Sequence, residues 1–218
     1  GPAAMDCQRI FLESWYWATR EQPPLRDTCA LPQVSPDHEA LVLPTGPIHG
    51  SNICNLAYKA LISSAKERCW IASPYFAPND SVLDELRYAA LRGVDVRILL
   101  PEKPDHLIIY LASFAYFKML EEWNIKFYRY EKGFLHQKVI LIDDSLAGVT
   151  TINLDQRSFH LNFEIGLFSI SSEFVRDVAN MLEKDFSESR IADSSDYSKR
   201  SLPFRVAVNC ARLFSPVL

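Results

Sequence analysis

His136 and Lys138 stand two residues apart, Asp143 follows five residues after the lysine, and Thr150, Thr151, Asn153 and Glu164 close the same stretch, GFLHQKVILIDDSLAGVTTINLDQRSFHLNFE, residues 133–164. In a strand the side chains alternate between faces, so His136 and Lys138 point to one side of FLHQKVILID. An imidazole beside an ammonium makes a poor core pair, because burying an unpartnered charge costs several kcal/mol, whereas the same two groups make a good anion site. A histidine titrates near neutrality and can act as nucleophile, general acid or general base. Lysine adds a fixed point charge and Asn153 an amide donor, both suited to stabilising anionic oxygens. Glu164, alone between Phe163 and Ile165 in an apolar run, needs a partner if it is buried. No second His-x-Lys occurs: His38, His49, His106 and His160 are each followed at the second position by another residue type.

The spacing H-x-K-x4-D resembles that of the phospholipase D superfamily. The runs YRYEKGFLHQKVILIDD and TTINLDQRSFHLNFEIGLF are similar to the second such segment of bacterial cardiolipin synthases. WYWATREQ near the start resembles the segment that follows the first half of those enzymes, and LPFRVAVNCARLFSPVL resembles their C-terminal tail. The resemblance implies a sandwich fold and a catalytic set of His136, Lys138, Asn153, Glu164, Asp143 and Thr151. His136 would attack phosphorus to make a phosphohistidine or serve as the general acid and base. Lys138, Asn153 and the Thr151 hydroxyl would hold the phosphoryl oxygens without metal or other cofactor. Glu164 would orient an active-site histidine, and Asp143 would hold a loop rather than touch substrate. Tyr75 and Phe76, in Pro-Tyr-Phe, would line a lipid entrance. One departure stands out: the family usually carries glycine where this chain has Thr150, and the nearest glycine, Gly148, lies two residues early. A positive φ at position 150 would strain a β-branched residue.

The resemblance also implies that the chain is the C-terminal half of a longer enzyme that transfers a phosphatidyl group between two phosphatidylglycerol molecules and releases glycerol. Its partners would be the phospholipid, a membrane surface, and either an N-terminal half with its own histidine or a second copy of the chain about a two-fold axis. The expected location is the bacterial inner membrane, held peripherally. Two other readings stay open: a phospholipase D or single-motif nuclease working as a homodimer, and an inactive lipid-binding lobe.

The 218 residues suffice for one sizeable domain, and the net charge of −4 argues against a protein that coats nucleic acid. Five cysteines, odd in number and without a C-x-x-C pair, read as free thiols with no metal-ligand spacing. The longest uncharged apolar run, residues 107–117, is far short of a membrane span.

Residues 1–5 read as a scar left by tag cleavage, 6–39 as an aromatic segment and linker from a preceding half, 40–187 as the catalytic domain, and 188–218 as a polar linker and amphipathic helix. Within the domain, strands are expected at 40–44, 69–76, 94–101, 125–130, 134–143, 146–152 and 163–171. Helices are expected at 51–67 behind Ser51, from 78–81 to Leu91 with Gly93 as the stop, from 106 to 123 capped by Asp105, and from Ser171 or Ser172 to Phe186. Strands alternating with helices and then running together predict an α/β fold, a mixed sheet with helices on both faces. The polar segment 187–198 reads as mobile. In the tail, Ser201, Arg205, Asn209 and Arg212 form a polar stripe, so that Arg205 and Arg212 among anionic headgroups, with Phe204 and Phe214, are candidate membrane contacts.

Overall fold

The computed structural model describes residues 1–22, 38–49 and 52–215, the side chain of Lys118 excepted. The linker expected over 22–37, Cys29, the proposed Ser51 cap and the last three residues of the tail lie wholly or mostly outside the described residues. The chain runs α1 (Pro2–Thr19), β1 (Ala40–Thr45), α2 (Ile53–Ser64), β2 (Arg68–Ala72), β3 (Phe76–Ala77), α3 (Asp80–Leu91), β4 (Asp95–Pro101), α4 (Leu107–Glu121) and β5 (Lys126–Tyr130). It continues with β6 (Val139–Ile142), β7 (Leu146–Thr150), β8 (Leu154–Asp155), α5 (Gln156–His160), β9 (Glu164–Ser169), α6 (Ser172–Ser187), β10 (Ser189–Ala192), α7 (Ser195–Ser198) and α8 (Leu202–Leu213).

Eight strands form one sheet in the order β1-β9-β7-β6-β2-β4-β5-β10. The β2–β4 and β4–β5 pairs are parallel and the rest antiparallel, so the sheet is mixed. The period-two alternation of strand side chains splits the interior into two cores. Cys69 and Ile71 of β2, with Ile140 and Ile142 of β6, face one core together with Tyr58 and Ile62 of α2, Leu86 of α3 and Phe117 of α4. Trp70, Ala72, Val139 and Leu141 face the other, where α6 supplies Val175, Ala179, Leu182 and Phe186. Helices therefore cover both faces, and the α/β sandwich expected from the alternation of elements is what forms. This two-sided burial explains why VILI of β6 is an unbroken apolar run.

Local signals account for several boundaries. Asn79 caps α3 by accepting from the Val82 backbone N–H at 3.0 Å, and Gly93 follows the helix at φ 88°, a conformation that glycine adopts without steric cost. The Asp105 cap expected for α4 does not form in that way. His106 occupies the cap position, and the Asp105 carboxylate instead takes the adjacent His106 N–H at 2.8 Å and the Tyr75 hydroxyl at 2.7 Å.

Two stretches differ from expectation more widely. The segment 188–198 is no loose linker: β10 extends the sheet by pairing with β5, and Arg190 is tied to Glu102 and Asp196 at 2.9 and 2.8 Å. Backbone pairing outweighed the polar composition. In the tail, α8 packs on α4 through Phe204, whose ring lies 5.3 Å from that of Phe114, and through buried Val208 and Ala211. Phe204 is therefore turned into the domain and is not a membrane contact. Arg205 and Arg212 remain exposed, and Phe214 is exposed beside Leu213.

Candidate active site

Because β7 runs antiparallel to both of its neighbours, β6 and β9, the entry to β6, the exit from β7 and the entry to β9 meet at one end of the sheet. That juxtaposition assembles the site. The Thr150 N–H donates to the Lys138 carbonyl at 2.9 Å, and the Thr151 N–H to the Ile165 carbonyl at 2.9 Å. Lys138, Thr150, Thr151 and Glu164 are thus set side by side across three neighbouring strands. The β3–β8 pair, in register Phe76↔Leu154, brings Tyr75 and Asn153 to the same end, where both line a cleft of about 440 Å³ with Asp155, Arg157, Asn162 and the first turn of α4.

His136 and Lys138 precede β6 rather than lying within it, since the strand begins at Val139. The His136 side chain is 47 % exposed, its ring is stacked on Phe134 at 5.4 Å, and its Nδ1 faces Asp105 Oδ2 at 3.9 Å. Partial burial lowers its pKa, as do the neighbouring Lys138 and His106 charges, while Asp105 pulls the other way. The outcome is an imidazole that favours the neutral form, as a nucleophile or general base requires. Lys138 Nζ donates to the His136 carbonyl at 2.8 Å, which fixes the ammonium beside the imidazole. Burial lowers the lysine pKa too, against the opposing pull of Glu164, Asp105 and Asp155.

Glu164 is held by three side chains: the Thr151 hydroxyl donates to Oε2, while Ser158 Oγ and Asn162 Nδ2 donate to Oε1 at 3.0 and 3.1 Å. Thr151 in turn accepts the Ile165 N–H at 3.0 Å. Asp155 is buried, and burial raises its pKa against the lowering effect of Ser158, whose N–H it accepts at 2.7 Å. Asn153 Oδ1 is buried without a hydrogen-bond partner, an acceptor left unsatisfied at the cleft.

Other candidates fall outside this cluster. Phe76 is fully buried against Tyr116 and Phe127 at 5.4 and 5.2 Å, so it belongs to the core and does not line a substrate entrance. In Pro-Tyr-Phe only one of two adjacent side chains can face out of an extended segment, and here it is Tyr75. Asp143 lies at the opposite end of β6, where its carboxylate accepts the backbone N–H of Lys66, Glu67 and Arg68. The strain feared at Thr150 does not arise. Its φ is not among the positive values, it ends β7, and its hydroxyl accepts the Ile152 N–H at 3.0 Å.

Sequence reasoning took Asp105 for a helix cap and His106 for a surface or satisfied polar residue, and it gave Asp155, Ser158 and Asn162 no place in the site. Asp105 and His106 reach the site because β4 runs parallel to β2 and ends at the same rim, which hands the start of α4 to the cleft. The adjacent acid and imidazole at a helix start were the available signal. Asp155 and Ser158 carried another, the spacing of a helix N-cap.

Chains of known structure share this fold. The Salmonella typhimurium protein Nuc, a phospholipase D family member, superposes with a TM-score of 0.60 over 72% of this chain and 100% of its own, at 19% identity. The phosphatidylserine synthase of Haemophilus influenzae superposes with a TM-score of 0.68 over 94% of this chain and 53% of its own, at 16% identity. The architecture with its His-x-Lys rim is that of the phospholipase D class. Residues 58–186 match the family described as cardiolipin synthase, PLD-like domain, and the chain belongs to that family. Cardiolipin synthase A of Pseudomonas putida W619 is 44% identical across 100% of this chain, and that of Pseudomonas fluorescens Pf-5 is 42% identical across the same span. The chain spans about half the length of these relatives, 45% in each case.

Proposed function

We propose that this chain is the C-terminal catalytic half of a cardiolipin synthase, which moves a phosphatidyl group from one phosphatidylglycerol to another. The observation that carries this reading is the similarity of this entire chain to part of cardiolipin synthases A, combined with a rim that holds one His-Lys pair. Transfer proceeds in two displacements. One histidine forms a bond to phosphorus as the bond to the glycerol oxygen breaks, and the second histidine protonates the departing glycerol. The second histidine then takes the proton from the hydroxyl of another phosphatidylglycerol, whose oxygen attacks phosphorus as the phosphorus–nitrogen bond breaks.

This chain supplies one of those imidazoles, His136. Lys138 and the Asn153 amide act on the phosphoryl oxygens, where developing charge rewards fixed donors. Glu164 accepts hydrogen bonds from three side chains, and the carboxylate that His136 faces is Asp105, so in this reading Glu164 serves the histidine of the other half. That half is an N-terminal segment or a second copy. The enzyme works peripherally at the inner membrane, and no helix among the described residues is long and apolar enough to cross a membrane.

The test is a product assay on phosphatidylglycerol vesicles with this chain and its complementary half. Cardiolipin and glycerol in equal amounts support the reading. Phosphatidic acid alone would point to a hydrolase, and cleavage of added nucleic acid to a nuclease.

A further inference from the structure

We infer that Asp105, steadied by Tyr75, is the positioning residue for His136. The inference rests on the reading of His136 as a reacting group and adds the group that sets the orientation of its ring.

Three observations converge on this carboxylate. Its Oδ2 receives the Tyr75 hydroxyl at 2.7 Å, and the same oxygen faces His136 Nδ1 at 3.9 Å. Its Oδ1 receives the His106 backbone N–H at 2.8 Å, so the group is tethered on both oxygens. The Tyr75 ring meets the His136 ring edge-on, with centroids 6.2 Å apart, and the His106 ring at 5.8 Å, while Phe134 stacks on the imidazole at 5.4 Å. Burial would raise the Asp105 pKa, but the Tyr75 hydroxyl and the two backbone N–H groups of Asp105 and His106 outweigh it, and the carboxylate stays ionised at neutral pH.

An ionised acceptor beside Nδ1 selects the tautomer that carries its proton there and leaves the lone pair on Nε2, the other ring nitrogen. The 3.9 Å separation is long for a hydrogen bond, and such contacts shorten in the substrate complex. Asp105 comes from the start of α4 and Tyr75 from the segment before β3, so neither is near His136 in sequence. The other charged groups around the ring are Lys138 on its own segment and His106 on the approach to α4, with Glu164 and Asp155 opposite the Lys138 ammonium.

The two side chains should act with opposite sign. Asp105→Asn keeps the shape and removes the negative charge, so the His136 titration midpoint, followed by imidazole NMR in this chain, should fall by about half a pH unit or more. Tyr75→Phe removes the donor that shares Oδ2, and the midpoint should rise. Asp105→Glu should recover part of the loss. The His136 resonance is assigned by its disappearance in His136→Gln. A midpoint unmoved by Asp105→Asn in a folded chain would overturn the inference, as would shifts of the same sign in Asp105→Asn and Tyr75→Phe.

The same variants in the two-half enzyme should lower kcat at least about tenfold for Asp105→Asn, with KM little changed and the limb of the pH profile assigned to His136 displaced in the direction seen by NMR. Loss of activity in His136→Ala tests the functional reading separately. If His136→Ala is fully active while the NMR shifts hold, the positioning stands and the synthase reading falls.

Discussion

The Asp143 carboxylate accepts the Arg68 backbone N–H at 2.9 Å, at the end of β6 that lies away from Lys138. Although this aspartate completes the spacing that marks the motif, its work is to clasp the turn between α2 and β2.

Asp143→Ala should therefore cost stability and spare chemistry. Losing a charged acceptor of three backbone N–H groups is expected to cost about 2 kcal/mol, read from urea unfolding, with activity per folded molecule within a fewfold of the parent. Burial would raise the Asp143 pKa, but the backbone donors of Arg68, Glu67 and Lys66 outweigh it and hold it below the usual range. A depressed pKa gives stability that is present above about pH 4 and is lost as pH falls through the lowered value, so the gap between parent and variant should close in acid. A gap that persists unchanged at pH 2 contradicts the assignment.

His136→Ala and Lys138→Ala in the two-half enzyme should each reduce turnover by about a hundredfold or more, with folding intact, because His136 is exposed, Lys138 is only partly buried, and neither belongs to a core cluster. Turnover within a fewfold of the parent, in protein shown to be folded, removes both from the chemistry.

The isolated chain should be inactive as a monomer, since it carries one His-x-Lys histidine of the two that the proposed transfer needs. Adding the complementary half, or concentrating the chain until it pairs, should restore activity. Sustained turnover by a species that light scattering shows to be monomeric during the assay would sink the half-site argument.

Activity should survive EDTA. In the proposed mechanism Lys138 and Asn153 supply the positive charge and the donor, and no group of three His, Cys, Asp or Glu among the described residues could hold a metal ion. Loss in chelator that a divalent ion reverses would count against this.

The outward face of α8 is proposed to meet anionic lipid through Arg205, Arg212, Leu213 and Phe214. Leu213 is 80% exposed and Phe214 56%, an apolar pair beside two exposed arginines on the helix. Replacing both apolar residues by serine should weaken binding to phosphatidylglycerol vesicles about tenfold or more, given about 1.5 kcal/mol or more for each large apolar side chain fully buried. Unchanged vesicle affinity would leave α8 with only its docking role against Phe114.

Local rules carried much of the architecture. Period-two runs gave the strands, Asn79 and Gly93 the limits of α3, and the alternation of element types the mixed sheet with helices on both sides. The His-x-Lys pair stood out by residue type and spacing, which are properties of the chain alone, and Thr151, Asn153 and Glu164 were named with it through the resemblance to a known family. Pairing partners and burial are not. Composition marked 188–198 as loose, but β5 offered an open edge whose backbone groups β10 satisfies. An extended Pro-Tyr-Phe cannot say which ring faces solvent until a core exists to take Phe76, nor could the tail stripe say that α4 would claim Phe204. Asp105 reaches His136 only because β4 lies parallel to β2 and delivers the start of α4 to the same rim, a contact between residues 31 apart in sequence that no periodicity encodes. Spacing along the chain determined which groups could do the chemistry. The order and direction of the strands decided which of them meet.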